Sequence, residues 1–274
     1  MASQAPGYMM GHSDHERRRL ALQALRLNPL TEGFLQRAGI GPGMNVLDLG
    51  CGVGEVSLIA ARLVGPGGHV TGLDIDAGAL EIATARASSE EIHHVTFRHE
   101  SVTDHRCDRP YDAVVTRLFL VHTPDPLAIL RHAIGMLRSG GIVAVQEYDF
   151  SVRPPNHVSK PLLEHVAQAI TSLMMRITSQ SDLGIRLYQL LQDAGLVSPE
   201  ARGECVIEGG PDAVLYEWVA ETVRSLLPHL ERAGLATAAE LDVETLAERL
   251  RAESVKLGGC LSSPLMIGVH ARKP

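Results

Sequence analysis

Apolar and polar positions follow two alternating patterns between residues 44 and 148. Short apolar runs, typical of strands covered on both faces, alternate with segments whose apolar residues recur every three or four positions, as in amphipathic helices. The predicted strands are 44–49, 69–74, 94–99, 111–116 and 141–148, and the predicted helices are 54–63, 77–87 and 126–137. Alternation of this kind predicts a parallel sheet with helices on both faces.

Longer helices flank this alternating region on both sides. The first is expected from Asp14, a candidate N-cap, to about Ala38, with a break at Asn28-Pro29 because the residue before a proline disfavours helical geometry. After residue 150 the patterns predict helices at 159–178, 183–194, 211–232 and 241–256, and strands at 203–208 and 265–270. We expect three segments: an N-terminal helical lid (1–40), the alternating core (41–150), and residues 151–274, which complete the sheet and add cap helices.

Composition and charge narrow the class of protein. Of the 274 residues, 45% are hydrophobic and 21% are charged, which is ordinary for a soluble globular protein. The net charge is −7, and Arg17-Arg18-Arg19 is the main basic run on a predicted helix, so a nucleic-acid partner is not expected. The sequence also lacks a long apolar run and an apolar signal region, so we expect a cytoplasmic protein without a membrane partner.

Three alternating glycines join the first predicted strand to the helix that follows it. Gly50, Gly52 and Gly54 let the backbone turn sharply and approach a ligand, and the first helical turn offers unpaired N–H groups. A dinucleotide-binding turn would carry a glycine where this chain has Glu55, and Asp48 adds a second carboxylate. These charges favour a nucleoside that carries positive charge and no phosphate, such as one with sulfonium and ammonium groups.

Asp74 ends the second predicted strand, twenty residues after Gly54. In a βαβ unit a carboxylate at this position faces the ribose hydroxyls, although a helix N-cap is the alternative role. The glycine turn and Asp74 occur in this order and spacing in the class I S-adenosylmethionine-dependent methyltransferases, which residues 40 to 150 resemble. The ends of the third and fourth predicted strands add to the resemblance. The resemblance implies a Rossmann-like, seven-stranded, mostly parallel α/β sheet with an extra helical cap. It also implies S-adenosylmethionine as the cofactor.

The resemblance places cofactor contacts in two further loops. It implies a contact for Ile75, beside Asp74, and it implies that Ser101 and the Val102 N–H grip the adenine after the third strand. The family usually has an aspartate at the position of Ser101, and Glu100 and Asp104 are rivals for this role. Ordinary turn chemistry is the alternative explanation for these polar residues.

The end of the fourth strand and the N-terminal segment supply the remaining cofactor contacts. The resemblance implies that the backbone of Thr116 and Arg117 holds the methionine ammonium group. Tyr8 lies in a small, polar segment before the first helix, and we expect its ring to pack over the cofactor.

Candidate catalytic and substrate-binding residues follow the fourth and fifth strands, where ligands of open α/β sheets bind. His122 is a candidate general base or a structural histidine in its loop, and Glu147 is a candidate to accept a proton, orient an amine or stabilise a cation. Tyr148, Asp149 and Met174 are expected to line the substrate pocket. The alternative for each is packing within the core.

We expect no metal site. His93, His94, His99, His105 and Cys107 are close in sequence, but a strand sends neighbouring side chains to opposite faces and their spacing matches no zinc motif. The four cysteines are widely spaced, as free thiols of a cytosolic protein are.

The predicted function is methyl transfer from S-adenosylmethionine to a small molecule. A helical cap and an acidic surface suit a compact acceptor with an aromatic or apolar body, such as a specialised metabolite of natural product biosynthesis. A protein or RNA methyltransferase is one alternative, and an S-adenosylmethionine-binding protein that transfers no methyl group is another. The acceptor atom stays open, because oxygen, nitrogen and carbon acceptors share this scaffold, and a homodimer is an open alternative.

Overall fold

The computed structural model describes residues 14–152, 158–178 and 180–274. The chain divides into two compact units, each assembled from separate segments. Leu27–Val152, Thr178–Glu204 and Leu265–Pro274 form the larger unit. Met1–Arg26, Arg153–Ile177 and Cys205–Pro264 form the smaller unit. These units do not coincide with the three segments expected from the sequence, because the first helix and the region after residue 150 each contribute to both.

A seven-stranded sheet forms the centre of the larger unit. The described residues contain nine strands: β1 (Asn45–Leu49), β2 (His69–Asp74), β3 (Val95–His99), β4 (Tyr111–Arg117), β5 (Leu137–Asp149), β6 (Val197–Glu204), β7 (Ile207–Gly209), β8 (Cys260–Ser262) and β9 (Leu265–Arg272). The sheet has the order β3-β2-β1-β4-β5-β9-β6, and β7 pairs with β8 in the smaller unit. Strands β1 to β5 run parallel, whereas β9 is antiparallel to both β5 and β6.

The strand order reverses between β1 and β4, so the carboxyl ends of these two strands form a topological switch point. Open α/β sheets bind their ligands in the crevice outside the strand ends at such a point. The glycine turn after β1 and the end of β4 lie at this point.

Nine helices accompany the strands in the described part of the chain: α1 (Asp14–Ala38), α2 (Glu55–Val64), α3 (Ala77–Ser89), α4 (Pro126–Gly135), α5 (Pro161–Ile177), α6 (Leu183–Asp193), α7 (Leu215–Arg232), α8 (Ala238–Leu241) and α9 (Leu246–Leu257). A short 3₁₀ helix, Leu120–His122, follows β4. Among these described helices, none is long and apolar enough to cross a membrane.

Two apolar clusters cover the two faces of the sheet. On one face, Val46 and Ile142 of the sheet pack with Phe34 of α1 and Ile59 of α2 in one buried cluster. On the other face, the alternate strand residues, such as Val143, belong to a cluster with residues of α4 and α6. Because both faces are buried, the strands are apolar at consecutive positions rather than at every second one.

Ion pairs and a hydrogen bond connect the first half of α1 to helix α7 within the smaller unit. The buried carboxylate of Glu16 accepts two hydrogen bonds from the Arg19 guanidinium at 2.7 and 2.8 Å, and it accepts a third from Ser225 Oγ of α7 at 2.8 Å. Arg18 forms an ion pair with Glu217, also on α7, at 2.9 Å. The N-terminal half of α1 is therefore packed against α7, and a role as a lid stays a prediction.

Two predictions about the elements are wrong. Helix α1 continues through Pro29, whose missing N–H costs one hydrogen bond, while Leu27 and Phe34 on either side of it are buried. The strand predicted at 203–208 lies instead at Val197–Glu204. This strand forms the edge of the sheet and most of its side chains are exposed, so it carries no apolar alternation that a sequence pattern could show.

Adjacent glycines in the turn before β2 provide a test of the packing. A Cβ at Gly68 would lie 2.5 Å from the Met44 carbonyl oxygen and 2.7 Å from Val64 Cβ, whereas a Cβ at Gly67 would meet no described atom within 4 Å. We expect Gly68→Ala to destabilise the protein by about 1–3 kcal/mol, because backbone must move to admit the methyl group. Thermal unfolding followed by circular dichroism measures this change.

Gly67→Ala is the matched control, and its midpoint of thermal unfolding should stay close to that of the wild type. Equal midpoints for the two variants would contradict the close packing of this turn against β1 and α2.

Candidate active site

The glycine turn between β1 and α2 has the backbone geometry that its sequence predicted. Gly50, Gly52 and Gly54 all have positive φ angles, of 65°, 52° and 84°, which side chains with a Cβ rarely adopt. A Cβ at Gly50 would lie 2.2 Å from Phe119 Cδ2, so this position also requires the absence of a side chain. At Gly52 no described atom lies within 4 Å of the Cβ position, so a ligand can approach the backbone there.

Asp74 connects the end of β2 to the glycine turn. Its Oδ2 accepts a hydrogen bond from the Gly52 N–H at 2.7 Å, and its Oδ1 accepts one from the Asp76 N–H at 3.0 Å. Asp76, and not Asp74, caps helix α3 by accepting from the Ala79 N–H. Each carboxylate oxygen of Asp74 keeps a further lone pair, so the group can still accept hydrogen bonds from two ribose hydroxyls.

Ile75, directly after Asp74, has 60% of its surface exposed. Its carbonyl oxygen lies 2.9 Å from His99 Nε2, which fixes the backbone beside it. An exposed apolar side chain beside a polar carboxylate suits a nucleoside, whose base is flat and whose ribose is polar. The residues present at the ends of β1 and β2 therefore fit the cofactor that the sequence implies.

Asp48 and Glu55 are engaged by other side chains of this unit. Asp48 is buried and accepts a hydrogen bond from Ser57 Oγ at 2.6 Å, and burial raises its pKa to about 7. Glu55 accepts from Asn28 Nδ2 at 2.7 Å and from Arg86 Nη1 at 2.6 Å. Both are expected from the sequence to act as charges that face the ligand, but Asp48 is buried against Ser57 of α2, and Glu55 is paired with Arg86 of α3.

The loop after β3 is organised by a chain of buried hydrogen bonds. His105 is buried, its Nδ1 lies 3.0 Å from Glu100 Oε2, and its Nε2 lies 3.1 Å from the Tyr111 hydroxyl. Glu100 is thereby occupied, which weakens it as a rival of Ser101. Ser101 Oγ lies 2.9 Å from Thr103 Oγ1, as in an ordinary polar turn, so its predicted contact with adenine stays a prediction.

Val102 is buried in the cluster beneath this loop, and its side chain is anchored in the core. A contact with the cofactor through its N–H stays a prediction. Within the described residues, no group of three His, Cys, Asp or Glu side chains is arranged to hold a metal ion.

The end of β4 passes into a strained loop. Thr116 Oγ1 donates a hydrogen bond to the Leu49 carbonyl oxygen at 2.9 Å, which joins β4 to β1 at the switch point. Leu118 then adopts a φ of 56°, in the left-handed region that costs a branched side chain free energy. Strain of this kind persists only where the surroundings fix the backbone, and it is common at functional sites.

Glu147, on β5, fixes the backbone of this loop through hydrogen bonds. Its Oε1 accepts hydrogen bonds from the Phe119 N–H at 2.9 Å and the Leu120 N–H at 2.7 Å, at the start of the 3₁₀ helix. The residue is completely buried, its Oε2 has no hydrogen-bond partner among the residues that the structure describes, and burial raises its pKa to about 8. At neutral pH the carboxyl group keeps its proton, which favours an anchoring role over the predicted role as a general base.

His122 ends the 3₁₀ helix that Glu147 anchors. Its side chain is exposed at the surface, yet desolvation by the protein around its ring lowers its pKa below the usual value. The lowered pKa favours the neutral imidazole, the form that can accept a proton. Its catalytic role stays a prediction.

Arg117, the last residue of β4, directs its guanidinium to helix α1. Nη1 donates to Asn28 Oδ1 at 3.1 Å and to Thr31 Oγ1 at 2.8 Å. Desolvation lowers the pKa of Arg117, although the guanidinium remains charged. The topology of the sheet predicts that Arg117 points towards the site, but the sequence does not mark the partners of its side chain, which are more than eighty residues away.

Asp149, predicted to line a substrate pocket, is fully occupied by the chain itself. Its Oδ1 accepts from the Ser151 and Val152 N–H groups, and its Oδ2 accepts from the Ile185 N–H at 2.7 Å. The residue is completely buried, so nothing in its surroundings supports contact with a substrate. Asp149 instead fixes the start of α6 against the end of β5.

The other predicted pocket residues lie in different parts of the chain. Tyr148 is nearly buried, and its ring packs edge-on against Phe150 with 5.9 Å between the ring centroids. Met174 is buried on α5 of the smaller unit. Tyr8, which was predicted to pack over the cofactor and not to line the pocket, lies outside the described residues.

Comparison with known proteins gives a family match. The family described as "Methyltransferase domain" matches residues 40–195, more than half of the 274 residues. A ubiquinone biosynthesis O-methyltransferase from Proteus mirabilis is 33% identical over 169 residues, which cover 61% of this chain and 65% of that protein. The chain thus spans less than two thirds of the length of this relative.

Two solved structures have a similar fold. Phosphoethanolamine N-methyltransferase 2 of Haemonchus contortus, solved in complex with S-adenosyl-L-methionine, has a TM-score of 0.55 at 17% identity, over 93% of this chain and 57% of that one. The cyclase SpnF has a TM-score of 0.53 at 20% identity, over 90% of this chain and 81% of that one. These likenesses concern the fold alone, and they confirm the predicted Rossmann-like sheet.

Asp74 allows a direct test of the cofactor site. We expect Asp74→Asn to weaken the binding of S-adenosylhomocysteine by about 10- to 100-fold, because an amide is a poorer acceptor for the Gly52 N–H and for two ribose hydroxyls. Isothermal titration calorimetry measures this affinity. Asp76→Asn is the control, since asparagine also caps helices well, and its affinity should match that of the wild type. Equal affinities for all three proteins would refute the assignment of Asp74.

Glu147 allows a test through the pH dependence of stability. Because the folded state raises its pKa from 4.5 to about 8, its contribution to stability is complete below pH 4.5 and is lost as the pH rises towards 8. Glu147→Gln cannot lose a proton, so its stability relative to the wild type should increase on the order of a few kcal/mol between about pH 5 and pH 8. Midpoints of thermal unfolding across this range measure the trend.

Glu90→Gln is the control for this experiment, because Glu90 forms an exposed ion pair with Arg62. The midpoint of thermal unfolding of Glu90→Gln should change with pH as that of the wild type does. If the midpoints of Glu147→Gln and the wild type changed in parallel with pH, the Glu147 carboxyl group would titrate in its ordinary range.

Proposed function

This chain belongs to the family of class I S-adenosylmethionine-dependent methyltransferases, and we propose that it transfers a methyl group from this cofactor to a small organic acceptor. The observation that carries the proposal is the cradle at the switch point. There the Gly52 N–H is bound by Asp74, and the Gly52 backbone is open to the approach of a ligand. A carboxylate that both fixes the glycine turn and keeps free lone pairs suits a nucleoside with two ribose hydroxyls.

S-adenosylmethionine supplies an activated methyl group on its sulfonium sulfur. Positioning accounts for much of the catalysis that the protein must add, since alignment of two reactants is worth about 7–11 kcal/mol of a barrier. In this proposal Asp74 and the glycine turn fix one reactant. Glu147 fixes the loop that ends in His122, and the neutral His122 imidazole takes the proton from the acceptor.

A hydroxyl group on an aromatic or apolar body is the acceptor that we favour. The relative from Proteus mirabilis is named as an O-methyltransferase of ubiquinone biosynthesis, and we extend its acceptor atom to this chain. The net charge of −7 disfavours a nucleic-acid substrate. Tyr148, near the end of β5, and Phe150, directly after it, form an aromatic pair at the same end of the sheet as the cradle. A specialised metabolite fits this description.

A binding protein that transfers no methyl group is the second candidate. The similarity of the fold to the cyclase SpnF favours it, because that protein is named for a ring closure rather than for methyl transfer. The protonated state of Glu147 at neutral pH also leaves His122 as the one candidate base among the residues singled out at this site.

An isotope-transfer screen tests the proposal. Purified protein is incubated with methyl-labelled S-adenosylmethionine and, separately, with fractionated small metabolites, total protein and total RNA from the source cell. We expect label in a small-molecule fraction, with the methylated atom identified by NMR, and we expect His122→Ala to reduce the rate about 10²- to 10⁴-fold. Label confined to protein or RNA would overturn the choice of acceptor. Tight cofactor binding without any label would support the second candidate.

A further inference from the structure

A small cavity lies beside β6, at the edge of the sheet that is more distant from the glycine turn. It has a volume of about 210 Å³ and is bounded by the C-terminal half of α1 and by strands β6 and β9, all within the larger unit. Strands β4 and β5 separate β9 from β1, so the cavity is distinct from the cradle at the switch point. Its lining residues are Phe34, Arg37, Glu200, Arg202, Gly268 and His270.

Gly268 makes room for this cavity on the surface of β9. Arg202 lies opposite Gly268 in the register of β6 and β9, and Glu200 lies opposite His270, so the side chains of these two rows share one face of the sheet. A Cβ at Gly268 would lie 2.9 Å from two carbon atoms of the Phe34 ring. The missing side chain therefore lets the ring pack onto the strand, and a space remains between the ring and its charged neighbours.

Two guanidinium groups border the space. Arg202 is exposed and forms no ion pair with any residue that the structure describes. Arg37 reaches the cavity from α1, and its Nη2 donates to Glu204 Oε1 at 3.0 Å. This contact leaves further N–H donors on the Arg37 guanidinium for another acceptor.

His270 reports the balance of charge around the cavity. Burial lowers its pKa, and the positive charges of Arg272, Arg202 and Arg37 lower it further, whereas Glu200 acts in the opposite direction. The Glu200 carboxylate lies 3.9 Å from His270 Nε2, beyond hydrogen-bond distance, and its side chain is 73% exposed, so solvent screens its charge. Cationic side chains thus outnumber carboxylates at this imidazole, in a protein whose net charge is −7.

We propose that this cavity binds a phosphate group, with Arg37 and Arg202 donating hydrogen bonds to its oxygens and His270 as a third donor. A guanidinium matches a phosphate with two parallel hydrogen bonds, which a lysine cannot provide. The three side chains come from α1, β6 and β9, and donors from several directions suit a tetrahedral oxyanion better than a planar carboxylate. The volume is below the roughly 300–1,000 Å³ of pockets for larger ligands, as a small group requires.

Inorganic phosphate and a phosphate monoester share this chemistry, so the experiment must distinguish them. The inference is independent of the proposed methyl transfer, because none of the lining residues belongs to the cradle.

An NMR titration with inorganic phosphate at constant ionic strength tests the site. Arg202→Met removes the unpaired charge, and we expect it to weaken the affinity for phosphate about 10- to 100-fold, because charge-assisted hydrogen bonds are lost. Arg202→Lys keeps the charge but lacks the planar arrangement of donors, so we expect a loss of about 3- to 10-fold. Because Arg202 is exposed, both variants should fold as the wild type does.

Arg98→Met is the matched control. Arg98 is an exposed arginine on β3, the opposite edge of the sheet, so this variant loses the same charge at a distant place. It should keep the wild-type affinity for phosphate. An equal loss in Arg98→Met and Arg202→Met would mean that phosphate responds only to the net charge of the protein, and it would overturn the inference.

The signals of the His270 side chain provide a second measurement. They are identified by comparison with His270→Gln, and they should move when phosphate is added. The bound dianion should also raise the pKa of His270, since a nearby negative charge favours the protonated imidazole. Unchanged His270 signals at saturating phosphate would place the ion elsewhere and overturn the inference.

Parallel titrations with glycerol 3-phosphate and succinate identify the ligand class. Tighter binding of inorganic phosphate would assign the free ion, and tighter binding of glycerol 3-phosphate would assign a phosphate monoester; either result supports the site. Tighter binding of succinate than of both phosphates would overturn the choice of a phosphate group. A wild-type protein that binds none of the three would equally refute it.

Discussion

The hydrogen bond from the Gly52 N–H to the Asp74 carboxylate is the contact on which the candidate site depends. It joins the loop after β1 to the end of β2, and it holds the glycine turn in positive φ angles. The next strand is attached in the same way, since Thr116 Oγ1 bonds to the Leu49 carbonyl. Contacts within the chain thereby fix three strand ends around the switch point, and catalysis by positioning requires fixed geometry of this kind.

Local sequence patterns predicted the parts of this site that local geometry determines. The three glycines and Asp74 lie within one βαβ unit, where chain spacing sets their relative positions, so their placement could be predicted without a structure. The parallel strands could be predicted for the same reason, because apolar runs alternate with amphipathic helices. The edge strand Val197–Glu204 could not, since it gains its place by pairing with β9 rather than by burying a face.

Long-range contacts decided the roles that the sequence left open. The sequence offers Glu147 as a candidate base, whereas the structure shows its Oε1 bonded to two N–H groups almost thirty residues away, which favours an anchoring role. Asp149 was a candidate substrate ligand, but it bonds to the start of α6. No pattern in the sequence marks such partners, because they meet only when the sheet has formed. The same holds for Arg117, whose side chain is oriented by α1.

A crystal structure of the protein grown with S-adenosylhomocysteine would test this account most directly. We predict the ribose hydroxyls within hydrogen-bond distance of Asp74 and the sulfur end of the ligand over Gly50 to Gly54. Density for the ligand at a different place, or a ribose that makes no contact with Asp74, would contradict the account.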